Sequence, residues 1–485
     1  MHFIVKVFPE IIIKSPPVRK RFIKQLRDNL RRLLQPLSED IQVKRDWEKV
    51  EVQAPGADER LTRQVADVLA RTPGIDAFAL VQAYPLGDLD DILAKTRAHW
   101  AEALAGKTFC VRVKRSGKHD FSSTDIERYV GGGLLQQTQA AGVKLRDPDI
   151  TVRLEVKRQW LFVLENLRRG LGGYPLGAQN DGVLSLVSGG FDSIVASYLT
   201  MKRGMRTHFC FFSLGGHAHE MAVKEVSYYL WQKYGASHNV QFVTVPFEGV
   251  VAEILEKVDN AYMGVILKRM MLRAASRVAE ELDLKALVTG ESVAQVSSQT
   301  IPNLNAIDRA TDTLVLRPLI AMDKRDIIQL SRDIGTETYS ANVPEYCGVI
   351  SVRPTTNAKL HRVESEEARF DFTVLERALE DRAQTPIHHL VDAGETELDV
   401  AVEPQVGEGD VVIDIRHPDE AGLKPLALTG DQLLEIPFFR LNGQFGKLDP
   451  QRRYLLYCEK GVMSQLHAAH LMDAGHRNIG VYRPE

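Results

Sequence analysis

The first 85 residues divide into short runs of alternating apolar and polar positions and two stretches with a helical repeat. Strands are expected over 2–8, 41–45, 49–53 and 77–83, with helices over 17–34 and 58–71, the second leading through Pro73-Gly74 to the last strand. That alternation predicts a small ferredoxin-like α+β unit. A second α/β unit is expected over 86–170, with a strand at 108–114 and a helix opening at Ser123 or Thr124. Asp125 and Glu127 near that helix start suit its free N–H groups, and Gly131-Gly132-Gly133 is expected to end it.

A glycine-rich link over 170–177 separates these units from a longer alternating stretch. Strands near 183–187, 207–212, 240–246 and 286–289 alternate with helices near 192–203, 220–234 and 265–281, the pattern of a doubly wound parallel sheet. A stretch rich in acid, Pro and Gly over 398–410 reads as a linker. Beyond it lie strands at 411–415 and 454–457 and a helix over 464–474. The fold class is therefore multidomain α/β, with units at 1–85, 86–170, 177–397 and 405–485.

A chain of 485 residues is too long for one core, so several units are the default. No run approaches the roughly 18 uninterrupted apolar residues of a membrane helix, and the first residues lack a signal-peptide pattern, so the expectation is a cytoplasmic protein with no membrane partner. The net charge of -3 conceals an asymmetry: residues 1–180 hold 30 Lys/Arg against 22 Asp/Glu, and 181–485 hold 31 against 42. A basic N-terminal part points to a polyanion. The helix with Lys20, Arg21 and Lys24 and the loop with Lys114, Arg115 and Lys118 are its candidate contacts, the loop adding Phe121 for stacking.

The four cysteines are too few and too scattered for a disulfide framework, and no CxxC pair suggests zinc. Cys110 and Cys210 lie in strand-like runs and are expected to be buried structural thiols. Cys347 and Cys458 lie at turn-like places where a thiol can be presented.

The sharpest signal is an apolar strand running into Ser188-Gly189-Gly190-Phe191-Asp192-Ser193 and then a helix. Glycines let the backbone approach phosphate oxygens, and the helix start and both serines offer donors. No Walker lysine follows, and the segment resembles the SGGxDS motif of PP-loop ATP pyrophosphatases. That resemblance implies pyrophosphate binding by Ser188, Gly189, Gly190 and Ser193, magnesium at Asp192 and chemistry at the α-phosphate. Thr289-Gly290-Glu291 and Gln295 to Thr300 also follow an apolar strand, where ligands of parallel sheets bind. Near the C-terminus, Asp410 to Arg416 and Leu455-Leu456-Tyr457-Cys458-Glu459-Lys460-Gly461-Val462-Met463-Ser464 resemble the opening strand and active-site loop of rhodanese domains. Backbone N–H groups in such a loop stabilise a thiolate or persulfide.

With these segments in place the chain resembles the ThiI family, the tRNA 4-thiouridine sulfurtransferases of the longer type that ends in a rhodanese domain. The match runs from His2 to Glu10, through Val111 to Ser123, which resembles a THUMP domain, and includes Val265 to Met271, Thr289 to Glu291, Val296 to Thr300 and Pro344 to Ile350. It implies nucleotide contacts from Leu186, Val187, Lys268, Gly290 and Gln299, and a redox pair of Cys347 and Cys458. It also implies ATP with Mg2+, tRNA, a cysteine desulfurase of the IscS kind as persulfide donor, and a thiol reductant. A further implied role is sulfur transfer to the carrier protein ThiS, with its adenylyltransferase, for thiamine thiazole. Many rhodanese loops have arginine where this one has Met463, which disfavours thiosulfate as donor. The rival outside enzymology is an RNA-binding or persulfide-carrier protein with a relic ATP site.

Overall fold

The computed structural model describes the chain except residues 46–48, 166, 180–181, 215–216, 342, 344–352, 391–399, 408, 417–420, 423, 429, 438–440, 442–443, 459–461, 474 and 485, together with the side chains at 217–218, 431, 462–463, 466, 469–470 and 473. Two compact units divide it, Met1–Ala178 and Gln179–Glu485.

In the first unit, strand His2–Val7 lies between antiparallel neighbours Lys49–Gln53 and Ile75–Pro85. Helices Pro16–Leu34 and Glu59–Arg71 bury Phe22, Ile23, Leu26, Leu30 and Leu34, and Val65 and Leu69, the stripe that a 3.6-residue repeat places on one face. Each such side chain is worth about 1.5–3 kcal/mol on full burial. The Asp58 carboxylate caps the second helix by accepting from the Leu61 amide at 2.7 Å. This is the expected ferredoxin-like arrangement, but its last strand runs on: Val81 to Pro85 pair with Leu164 to Trp160. One nine-stranded sheet therefore passes through both expected N-terminal units.

Two sequence expectations for this unit are corrected. Helix Ser123–Gln137, opened by a Ser122–Asp125 capping box, continues through Gly131-Gly132-Gly133. A Cβ on Gly133 would lie 2.3 Å from Leu93 Cδ2, so this glycine lets two helices approach instead of ending one. The glycine-rich link begins as strand Arg168–Gly172, paired with Ile75–Pro85, and a Cβ on Gly170 would meet the Ile75 carbonyl oxygen at 2.4 Å.

The second unit holds two sheets. The larger runs Leu314–Leu316, Ala286–Val288, Gly182–Leu186, Arg206–Ser213, Gln241–Pro246 in parallel, with Ala383–Pro386 added antiparallel at the edge. The chain starts at Gly182–Leu186, builds outward to one side and then returns to the other. That reversal makes a crevice beyond the carboxyl ends of Gly182–Leu186 and Ala286–Val288, where open α/β sheets bind ligands. The smaller sheet is parallel throughout, in the order Val402–Glu403, Ile479–Tyr482, Tyr454–Tyr457, Val411–Asp414, Leu433–Glu435. The stretch read as a linker thus supplies its edge strand, Val402–Glu403. Helix Val462–Asp473 of this sheet meets helix His217–Leu230 of the larger one through an ion pair, His467 Nε2 to Glu225 Oε1 at 2.9 Å. Among the described residues, no helix is long and apolar enough to cross a membrane.

Candidate active site

The loop at the crevice is built from strand Gly182–Leu186 outward. Its Ser185 is fully buried and its hydroxyl lies 2.7 Å from Ser197 on the following helix, so strand and helix are fixed before the loop begins. Gly189 turns the chain at φ +81°, a conformation side-chain-bearing residues avoid. Gly190 then caps helix Phe191–Lys202 with no side chain of its own over the free N–H groups. The Ser193 hydroxyl closes the loop, donating to the Gly190 carbonyl at 3.1 Å and accepting from the Ser188 amide at 3.2 Å. His219 adds a contact the sequence did not signal, its Nε2 lying 3.1 Å from the Ser188 carbonyl oxygen. Leu186 and Val187 lead into the loop, Val187 buried and Ser188 exposed.

Asp192, in the first turn of that helix, is clamped. Lys324 Nζ donates to both its oxygens at 2.8 Å, and Gln295 Nε2 donates to Oδ2 at 2.8 Å. The Lys324 ammonium also lies 5.6 Å from the centre of the Phe191 ring. Lys324 opens helix Lys324–Ile334, a place the helix dipole makes unfavourable for a cation. That anomaly is the one trace it leaves in the sequence. Gly290, leaving strand Ala286–Val288, presses on the same helix start: a Cβ there would sit 2.5 Å from the Asp192 carbonyl carbon and 2.6 Å from the Ser193 nitrogen.

Beside Gly290, the buried Glu291 gathers three donors. Oε1 accepts from Lys268 Nζ at 2.6 Å, and Oε2 accepts from Arg317 Nε at 2.7 Å and the Thr289 hydroxyl at 3.0 Å. Burial by itself would raise the Glu291 carboxyl, but the charges of Lys268 and Arg317 outweigh it and hold the group below the usual carboxylate range. Arg317 spends its far edge on Asp308, with contacts of 2.5 and 3.1 Å. Arg317 follows strand Leu314–Leu316, an element the sequence reading did not foresee. Gln299 is buried, and its side-chain oxygen lies 3.4 Å from the Ser292 amide.

Among the described residues, no three His, Cys, Asp or Glu side chains converge as a metal site. Asp192 is a single hard oxygen donor at a helix start, which suits an ion such as Mg2+ that draws most of its shell from water and phosphate.

Cys458 directly follows strand Tyr454–Tyr457 and is 6% exposed. Its sulfur accepts from the Ser464 amide at 3.4 Å and lies 3.4 Å from the Ser464 hydroxyl, at the start of helix Val462–Asp473. A helix N-terminus aimed at sulfur favours the thiolate. Behind it, Arg416 makes a two-pronged pair with Asp414 and lies over the Tyr457 ring, 5.0 Å from its centre. Cys347 lies outside the described residues. Cys110 and Cys210 are buried, and burial pushes the Cys210 thiol up to about 12, as structural thiols should behave.

In the first unit, Lys20, Arg21, Lys24, Lys114 and Lys118 are exposed, whereas Arg115 is half-buried and donates to the Gly117 carbonyl at 2.8 Å. His119 stacks on Phe121 with 5.8 Å between ring centres, and its Nε2 lies 2.6 Å from the Arg158 carbonyl oxygen. The basic loop is thereby pinned to the neighbouring hairpin, and Trp160 there is 50% exposed.

Three family models match the chain: the ferredoxin-like domain of ThiI over 2–79, the THUMP domain over 87–164, and the thiamine biosynthesis protein ThiI over 177–372. Similar curated proteins include those of Pseudomonas aeruginosa at 57% identity, Pseudomonas putida at 55% and Saccharophagus degradans at 53%, each over 484 residues covering 100% of both chains. All three are named tRNA sulfurtransferase. A crystal structure of a 4-thiouridine synthetase–RNA complex with bound ATP matches with a TM-score of 0.69 at 24% identity, covering 79% of this chain and 99% of that one. At that identity the likeness establishes the fold.

Proposed function

The chain belongs to the ThiI family of tRNA sulfurtransferases, and from that premise we propose that it thiolates a tRNA uridine to 4-thiouridine through a uridine O4-adenylate. The observation that carries this reading is the loop of Ser188 to Ser193 at a helix start, without a Walker lysine, faced by Gly290 just beyond the neighbouring strand. The loop's amides and serine hydroxyls are donors suited to the leaving pyrophosphate, and Lys268 and Lys324 supply positive charge. Leu186, Val187, Gly290 and Gln299 are proposed to contact the adenosine. Magnesium at Asp192 would neutralise phosphate charge. Lys324 already neutralises that carboxylate, so ion and ammonium would share it.

In the proposed chemistry, uridine O4 attacks the α-phosphorus of ATP and pyrophosphate leaves, turning a poor leaving oxygen into a good one. Sulfur arrives from a cysteine desulfurase of the IscS kind as a persulfide on Cys458. Either its terminal sulfur attacks C4, displaces AMP and is then cut free by Cys347, or Cys347 first releases sulfide that attacks C4. Both routes close a Cys347–Cys458 disulfide, which a dithiol must reduce by two electrons. The matching family model is described as a thiamine biosynthesis protein, and sulfur transfer to ThiS for the thiazole of thiamine is proposed as a second role. The rhodanese assignment for the C-terminal sheet draws support from its all-parallel strands and from the Ser464 amide at the Cys458 sulfur. Lys20, Arg21, Lys24, Lys114, Arg115 and Lys118 are proposed to meet tRNA phosphates.

The test is stoichiometry. Protein, unmodified tRNA, ATP, desulfurase, cysteine and dithiol should yield one pyrophosphate and one AMP per 4-thiouridine, and Cys458→Ser should stop thiolation but not the pyrophosphate release. ADP and phosphate as products would refute attack at the α-phosphorus.

A further inference from the structure

Lys268 does not stand alone in the crevice: it heads a row of alternating charge that runs through Glu291 and Arg317 to Asp308. We propose that Glu291 is a positioning residue for ATP, setting the Lys268 ammonium against the phosphates, with Arg317 and Asp308 holding Glu291 in turn. This deepens the adenylation reading above and rests on it.

Three observations carry the inference. Glu291 is 7% exposed, and its two oxygens accept from Lys268 on helix Met263–Glu281, from Arg317 after strand Leu314–Leu316, and from Thr289 just past its own strand. Its backbone neighbour Gly290 is jammed against Asp192 and Ser193, so the carboxylate is referenced to the phosphate loop itself. A lysine ammonium has three donors, and spending one on Glu291 at 2.6 Å fixes the direction of the other two. An untethered lysine on a four-carbon stem would have to be ordered when ATP binds; this one is ordered beforehand. The row carries two positive and two negative charges, so it adds no net charge of its own. Its effect is geometric, which is why it should show in ATP affinity and not in the later steps.

The experiment is a double-mutant cycle on the full chain, read as pyrophosphate release in the presence of tRNA. Glu291→Gln keeps the volume but turns an amide donor toward Lys268 or Arg317, and the KM for ATP should rise on the order of 10-fold with kcat changed less than about 3-fold. Lys268→Met should raise KM similarly, and adding Glu291→Gln to it should change KM by less than about 2-fold, because the partner it acts through is gone. Should Glu291→Gln unfold the protein, Glu291→Gln with Arg317→Gln removes one acid and one base together and should show the same KM defect. Independent, multiplicative effects of Glu291→Gln and Lys268→Met would overturn the proposal, as would a double Gln variant with wild-type KM, which would make charge imbalance the whole effect. If the wild-type chain releases no pyrophosphate from ATP at all, the adenylation reading fails instead.

Discussion

Gly290→Ala should cripple the enzyme while leaving most of its stability. Gly290 is not in the left-handed region, so alanine is conformationally acceptable there, and the loss of unfolded-chain freedom even favours it by about 0.4–1 kcal/mol. Space is the obstacle. The new Cβ would lie 2.5 Å from the Asp192 carbonyl carbon, 2.6 Å from the Ser193 nitrogen and 2.8 Å from the Asp192 oxygen, where ordinary contact begins at 3.4 Å. All three atoms are backbone, so no side chain can swing aside, and strand and helix must part by close to an ångström. Overpacking of this kind costs about 1–3 kcal/mol, leaving a net loss of at most about 2.5 kcal/mol. A misplacement of about 1 Å at reacting groups costs on the order of 100-fold in rate, so kcat/KM for ATP should suffer far more than stability. Urea unfolding and pyrophosphate release on the same preparation measure both. Gly264→Ala, whose Cβ would meet nothing within 4 Å, is the matched control and should leave both unchanged or slightly raise stability. Gly290→Ala with kcat/KM within twofold of wild type would refute the idea that this contact sets the loop.

Lys324→Ala should lower kcat/KM for pyrophosphate release on the order of 100-fold with a change of less than about 1 kcal/mol in urea unfolding, since its pair with Asp192 is partly exposed. The triple change Lys20→Ala, Arg21→Ala, Lys24→Ala should reduce the salt slope of tRNA binding by roughly one per phosphate contact removed, measured by titration at several ionic strengths. Burial, aided by the charge of Arg206, pushes the His208 imidazole down to about 4. The unfolded chain takes up that proton near pH 6.5 and the folded one does not, so stability is full above about 6.5 and falls by up to about 3 kcal/mol as pH drops toward 4. His208→Gln should flatten that part of the urea midpoint against pH.

Much of the architecture was legible because the local signals agreed with one another. The strand at 454–457 was placed to the residue, and the loop at Ser188 to Ser193 was found because strand, glycines and helix stand side by side in the chain. Glycines misled where their reason was tertiary. Gly133 reads as a helix end, and the Leu93 side chain that demands it is 40 residues away. Strands of only three and four residues, Leu314–Leu316 and Ala383–Pro386, left too little pattern to see.

The site divides the same way, and the division has a physical cause. A phosphate loop must be contiguous, since successive amides have to converge on one group of oxygens, and so it survives as a motif. Charge pairing has no such demand. Asp192 and Lys324 are 132 positions apart and meet because the chain returns past Gly182–Leu186, while Glu291 and Arg317 lie 26 apart and meet because the strands they follow, Ala286–Val288 and Leu314–Leu316, are paired. What sequence retains of such pairs is local misfit: a lysine opening a helix against its dipole, an acid three residues past a fully buried strand, an arginine directly after the next one. Each costs stability where it stands and is repaid only by its distant partner. Residues that violate their local rule at the carboxyl ends of parallel strands are therefore the ones to examine first when such a sequence is read for function.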